Sequence, residues 1–374
     1  MGRVPALLLL VLCIGRTAQA QSPGPQDFDR LFARAVELHQ AGDILGAIDT
    51  YKAALTISPE RTDALSNLGA AYVRLGQFDD GIAQYETALK VEPMNNSIRL
   101  NLALAYYKSA RPNQAVPQLK RVLASDPEAK NAYLVLADCY LQTGQDKDVI
   151  TLLKPREQMF GSDLAYAYLL GTSLLYSGDV TEGQKYVDRV FGAGESAEAH
   201  LLLGIAMLAR QDFRGAKDEL QRAIQINPKL PTANALYGRS LRALGDHENA
   251  ERAFRRELEQ NVNDFEANLQ LGNLRKDQQK FAEASTYLER AVTIRPEDLV
   301  ARKLLASLRL QTGRTDDAVS MLEAIVKEAP DLVEAHVMLA TGYNRLKRKD
   351  DAAREQAIID KLNAQIQAKQ KGGE

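Results

Sequence analysis

The chain has 374 residues, with 47 Lys and Arg against 49 Asp and Glu and a formal net charge of −2, both signs being interspersed along its length. That balance gives no reason to propose a polyanion-binding surface, and neither nucleic acid nor an anionic membrane is expected as a partner. Ala, Leu, Gln, Glu, Lys and Arg dominate, Trp is absent and β-branched runs are scarce, which excludes a sheet-rich fold and predicts helices almost throughout.

Residues 1–20 read as an export signal. Arg3 supplies a small positive region, Val4 to Ile14 an apolar run, and Ala18-Gln19-Ala20 an A-x-A cleavage site. The run is far shorter than the roughly 20 residues that span a bilayer, so cleavage is expected, leaving Gln21 first. A lipid anchor is not expected, because Leu12 rather than a small residue precedes Cys13. The expected location is periplasmic or secreted. No later segment reaches spanning length, which predicts no stable membrane insertion after cleavage. Cys13 leaves with the signal and Cys139 has no partner, so stability must come from packing rather than from a disulfide.

After a leader over 21–27 that contains Pro and Gly, the chain repeats itself. Pro59, Pro93 and Pro127 stand 34 residues apart, and Pro228, Pro296 and Pro330 continue the lattice. Gly161, Gly194 and Val262 hold the sites between, with one residue missing between 161 and 194. Ten tandem units follow: 28–61, 62–95, 96–129, 130–163, 164–196, 197–230, 231–264, 265–298, 299–332 and 333–366. A polar tail occupies 367–374. No room is left for a separate catalytic domain, so the protein is not expected to be an enzyme.

Each unit predicts two helices. The first carries a small residue, as at Ala35, Gly69, Ala103, Gly204 and Gly272. It is answered twelve residues later by another, as at Ala47, Gly81, Ala115, Ala216 and Ala284, so that the helices can approach closely. Leu68, Leu102, Leu136, Leu170 and Leu271 fill the seam from the first helix, and Tyr51, Tyr85 and Phe254 from the second. Between the helices, Gly42, Gly76, Gly144, Gly178, Gly245 and Gly313 suit the left-handed position that ends a helix. Acidic pairs such as Asp79-Asp80, Asp316-Asp317 and Asp350-Asp351 favour the start of the next.

Asn67-Leu68-Gly69-Ala70-Ala71-Tyr72 with Gly81, Tyr85, Ala88 and Pro93, and Leu102-Ala103-Leu104-Ala105-Tyr106 with Ala115, carry a resemblance to the tetratricopeptide repeat (TPR). The resemblance implies an all-α fold, an α-α superhelix or solenoid of stacked helix-turn-helix units, in which each unit buries its apolar face on its neighbours. It departs from the family at Arg34, Arg275 and Arg309. Units 3 to 5 are the least regular: Pro117 and Pro155 fall inside second helices, and a local kink is expected there. In the last unit Ile358, Leu362 and Ile366 recur every four residues on an extended capping helix.

The residues offer little chemistry. No H-E-x-x-H, C-x-x-C or phosphate-loop pattern occurs, and no metal or cofactor is expected. His200 and His336 hold a repeat position that packs a large side chain, and Cys139 reads as a buried core thiol. Function is therefore sought on the stripe formed by positions five, nine and twelve of each first helix. In proteins this chain resembles, that stripe lines a concave groove and binds an extended peptide. In units 3 to 6 it is mostly apolar: Leu100, Leu104 and Tyr107; Leu134 and Leu141; Tyr168 and Leu175; Leu201, Ile205 and Leu208. Two readings stay open, an exposed interaction patch or burial against adjacent units. In units 7 to 9 it turns polar and basic at Arg239, Arg242, Asn273, Lys276 and Lys303, suited either to a carboxylate or to a solvated face. The carboxylate clamp of the family is not reproduced, since Phe32 and Val36 stand at its first two sites and Asn67 alone matches. The expected function is an exported scaffold or adaptor that holds protein or peptide segments, in a cell-envelope assembly. The alternative is a substrate-recruiting accessory subunit of an enzyme encoded elsewhere.

Overall fold

The computed structural model describes residues 25–371, and among them every regular element is helical. The export signal lies outside the described residues. The chain forms two compact bodies, with the division between Leu102 and Ala103. The first holds α1 (Pro25–Ala41), α2 (Ile44–Ile57), α3 (Thr62–Arg74), α4 (Phe78–Val91) and the start of α5 (Asn96–Lys108). The second continues from α5 through α6 (Pro112–Ser125), α7 (Lys130–Gln142), α8 (Asp146–Leu153), α9 (Glu157–Phe160), α10 (Leu164–Tyr176), α11 (Val180–Gly192), α12 (Ala197–Ala209) and α13 (Phe213–Ile226). It ends with α14 (Ala233–Ala243), α15 (His247–Gln260), α16 (Phe265–Asp277), α17 (Phe281–Ile294), α18 (Leu299–Gln311), α19 (Thr315–Glu328), α20 (Val333–Arg345) and α21 (Lys349–Lys371). Helix begins already at Pro25, inside the expected leader, and α21 runs on into the expected tail.

Consecutive helices pack in pairs because small residues sit where they cross. A Cβ added at Gly204 would stand 2.7 Å from Leu220 Cγ, and one at Gly272 would stand 2.7 Å from Leu288 Cδ2. Even a methyl group there would require Leu220 or Leu288 to shift, and a side chain much larger than alanine would crowd α12 against α13, or α16 against α17. In the first body, Ala35, Ala47 and Tyr51 share one core cluster with Leu68 and Ala71. Leu136, Leu170, Leu271, Leu305 and Leu339 are buried along the seam of the second.

One turn joins every pair. One or two residues past the end of each first helix a residue has positive φ, and the next N–H closes back onto a carbonyl five residues earlier, as in Asp43 to Leu38 (2.9 Å) and Lys280 to Arg275 (2.9 Å). Six of these left-handed residues are the expected glycines; the others are Ala110, Gln211, Gln279 and Lys347, with φ of 56 to 61°. The residue that closes the turn also opens the second helix: Asp43, Asp179, Asp212 and Asp246 each accept the backbone N–H three positions on.

The irregular repeats have physical causes. α6 runs through Pro117, but at Pro155 the fourth repeat's second helix breaks into α8, a 3-10 turn over Lys154–Arg156 and the four-residue α9. Pro155 lacks the N–H that would continue the helix, and its ring crowds the preceding turn. The two repeat histidines are packed and paired. His200 lies between Glu195 (3.0 Å) and Glu219 (2.6 Å), and His336 meets Glu355 (2.5 Å) and the Pro330 carbonyl (3.0 Å). Cys139 is fully buried, and burial pushes its thiol up to about 12, leaving it an inert core residue.

Candidate functional site

In the second body the stacked first helices curve until residues some 153 positions apart meet. Arg295, just past α17, donates from Nε to the Gln142 carbonyl (3.0 Å) and from Nη2 to the Leu141 carbonyl (3.3 Å). These are among the last carbonyls of α7, which have no partner within the helix and lie at its negative end. The same guanidinium lies over the Phe265 ring, 4.2 Å from its centre. Beside it, Asn263 donates to the Ala110 carbonyl at 3.3 Å. These bonds clasp repeats 7 and 8 to repeats 3 and 4, and the concave face of the body becomes a cavity of about 1070 Å3.

The cavity is walled by first-helix side chains. Tyr107 projects from α5, Asp138 and Leu141 from α7, Tyr168, Thr172 and Tyr176 from α10, Ile205 from α12, Arg239 from α14 and Glu266 from α16. Arg290 and Arg295 close the side formed by the eighth repeat. Tyr107 hydroxyl and Gln142 Nε2 (2.9 Å) both donate to Asp138 Oδ2. Burial raises the pKa of Asp138 despite these bonds, and no cation pairs with it among the described residues. Asp146 Oδ1 is buried without a hydrogen-bond partner, and burial pushes that carboxyl up to about 6 against the opposing pull of Arg295. Burial first, and then the neighbouring Tyr176 and the charge of Asp138, raise Tyr168, while Tyr176 on the same wall is 38% exposed.

The rim is also built from carboxyl groups. Pro231 and the left-handed Thr232 delay α14, and the fully buried Glu257 takes over its capping by accepting the N–H groups of Thr232 (2.8 Å) and Asn234 (3.1 Å). Asp264, 3% exposed, caps α16 through the Ala267 N–H at 2.7 Å. Burial first, and then the Glu257 charge, push Asp264 up to about 7. A second, more open depression of about 930 Å3 shares Tyr176, Ile205, Arg239 and Glu266 with the cavity and continues past Leu208 to Arg242 and His247.

Family models cover most of the chain. One described as Tetratricopeptide repeat matches residues 106–172 and 275–341, one described as TPR repeat matches 37–76 and 71–109, and a further Tetratricopeptide repeat model matches 168–231 and 236–298. The chain belongs to the tetratricopeptide repeat family. Among solved structures, it is similar to one titled "Crystal structure of APC/C hetero-tetramer Cut9-Hcn1", with 17% identity and a TM-score of 0.58 over 91% of this chain and 76% of that one. That likeness is one of fold. No curated protein matches it by sequence.

Within the tetratricopeptide groove the expected stripe divides. Tyr107, Leu141, Tyr168, Ile205 and Arg239 line the cavity, while Leu175, Leu208 and Arg242 line the second depression. Leu175, Leu201, Ile205 and Leu208 are each no more than 4% exposed, so adjacent repeats take up most of the apolar stripe in repeats 5 and 6. Leu104 and Leu134 are half-buried outside the cavity wall, as is Leu100 in the first body. Asn273, Lys276 and Lys303 are half-buried and stand away from the wall, Lys276 lying 3.8 Å from Asp277. Asp138 and Thr172 were legible, since both hold position nine of their repeats. Arg290, Arg295 and Asp146 carry no repeat signal, because only the closure of the body brings them to the groove.

Proposed function

We propose that this tetratricopeptide-repeat protein is a scaffold that holds an extended protein segment along the concave face of repeats 3 to 8. The observation that carries the reading is the continuous path from the clasped cavity, across Tyr176 and Arg239, to the depression at Arg242. A path of this form suits a chain better than a compact metabolite, because its polar groups are spread along a length rather than gathered at one point. Arg239 and Arg242 would meet carboxylate groups of the segment where it leaves the cavity. The apolar run over Val4 to Ile14 and the following A-x-A site support work outside the cytoplasm, as an adaptor in an envelope assembly. The mass of the protein isolated from its source tests the export half: retention of residues 1–20 would end it.

Photo-crosslinking tests the groove. A photoreactive residue at position 176, inside the path, should capture a partner that one at the exposed outer position 226 does not. Replacing Arg239 and Arg242 together with Ala should weaken that partner by about tenfold and flatten its salt dependence. Equal capture from both positions, or full affinity in the double variant, would move binding to another face.

A further inference from the structure

The cavity and the depression differ in what they lack. Along the depression lie Arg242 and Arg239, the latter shared with the cavity, whereas inside the cavity, which Arg111, Arg290 and Arg295 also line, two acids lack a cationic hydrogen-bond partner among the described residues. Asp138 receives only neutral donors, the Tyr107 hydroxyl and the Gln142 amide, both on the same oxygen. Asp146 presents a buried oxygen that accepts nothing. Arg295, whose charge acts on Asp146, is already engaged by the Leu141 and Gln142 carbonyls and by the Phe265 ring. Aromatic faces accompany these acids: Tyr107 bonds Asp138 directly, Tyr168 lies close enough to feel its charge, and Tyr176 feels the charge of Asp146. Half-buried carboxylates among tyrosine rings form an environment that takes up a guanidinium or ammonium group, which gains charge pairing and ring contact together.

We propose that the cavity of repeats 3 to 8 is a recognition pocket for one basic side chain, an arginine or lysine of the bound segment, held by Asp138 and Asp146 among Tyr107, Tyr168 and Tyr176. The inference rests on the segment-binding reading above and adds its anchor. The cation takes the part of the cavity beside Asp138 and Asp146, and the chain that carries it passes out over Tyr176 and Arg239 towards Arg242. A segment with a basic residue followed by an acidic one would match both ends. Burial of the carboxyl groups supports the same direction, since each is raised in pKa and a bound cation would relieve that cost.

The test is selection from a random library of capped decapeptides on the full chain, with Asp138→Asn and Asp146→Asn as isosteric variants whose folding is checked by circular dichroism. Arg or Lys should be enriched at one position with the wild-type chain, and that enrichment should collapse in Asp138→Asn, in Asp146→Asn or in both. Exchanging the selected arginine for neutral citrulline should weaken binding by about tenfold or more, a readout that needs no protein variant. Free arginine at millimolar concentration should compete poorly, because it lacks the chain that follows the groove. Selected peptides without a basic preference, or unchanged affinity with citrulline, would overturn this inference and leave segment binding standing, whereas complete displacement by free arginine would overturn the segment as the occupant of the pocket. Recovery of no peptide of any class would overturn both.

Discussion

Asp264 shows how one residue serves the fold at an electrostatic cost. Its carboxyl caps α16 at the Ala267 N–H, yet burial and the neighbouring Glu257 push it from 3.8 up to about 7. An acid raised in the folded state binds more protons there than in the unfolded chain between those two values, so its contribution to stability falls as pH rises through that window. Asp138 and Asp146 are raised too and act in the same direction. Asp264→Asn keeps an oxygen for the cap and removes the charge. Urea unfolding at pH 5 and pH 8 should show a shallower decline for the variant and a gain on the order of a few kcal/mol at pH 8. An unaltered difference between the two pH values would mean that this carboxyl is not the source.

At the scale of the element, the turn inside each repeat is set by the helix pair rather than by glycine. The same left-handed bend and backwards hydrogen bond occur at Gly245 and at Gln279, whose φ angles are 85° and 59°. A side chain is strained in this region by roughly 1 kcal/mol, and the packing of α16 on α17 holds Gln279 there regardless. Gln279→Gly should therefore stabilise the protein by about 0.5–1 kcal/mol, and Gly245→Ala should cost about 1 kcal/mol or more. Denaturant midpoints decide the matter; a loss of stability in Gln279→Gly would show that the Gln side chain contributes more than its backbone strain costs.

For the molecule as a whole, the clasp changes what a repeat array can do. In an open array each repeat contacts only its neighbours, so local openings spread only to adjacent units. Here Arg295 couples repeat 8 to repeat 4 through two carbonyl bonds, within the second body. Arg295→Ala should raise amide exchange at the ends of α7 and α17 and in the turns around Ala110 and Asn263, leaving the α18 to α21 pairs protected. The change should correspond to about 1–3 kcal/mol of lost local stability. Arg295→Lys should restore only part of it, because an ammonium lacks the planar fork that reaches two carbonyls. Exchange that rises evenly through the second body would show that the array opens as one unit.

The sequence by itself determined the helices, their pairing, the turn that joins them and the family, because a 34-residue period records nearest-neighbour packing and that packing is local. The proline lattice and the small residues at Gly204 and Gly272 are sufficient for this. It also marked position nine of each first helix, where Asp138, Thr172 and Arg239 lie. Only the tertiary structure decided which of those positions share one space. Curvature summed over several repeats buries Leu201 and Leu208, sets Lys303 away from the cavity wall and brings Arg295 against α7 from some 153 residues away. That closure is a sum over several repeats, and no residue in any single repeat records it.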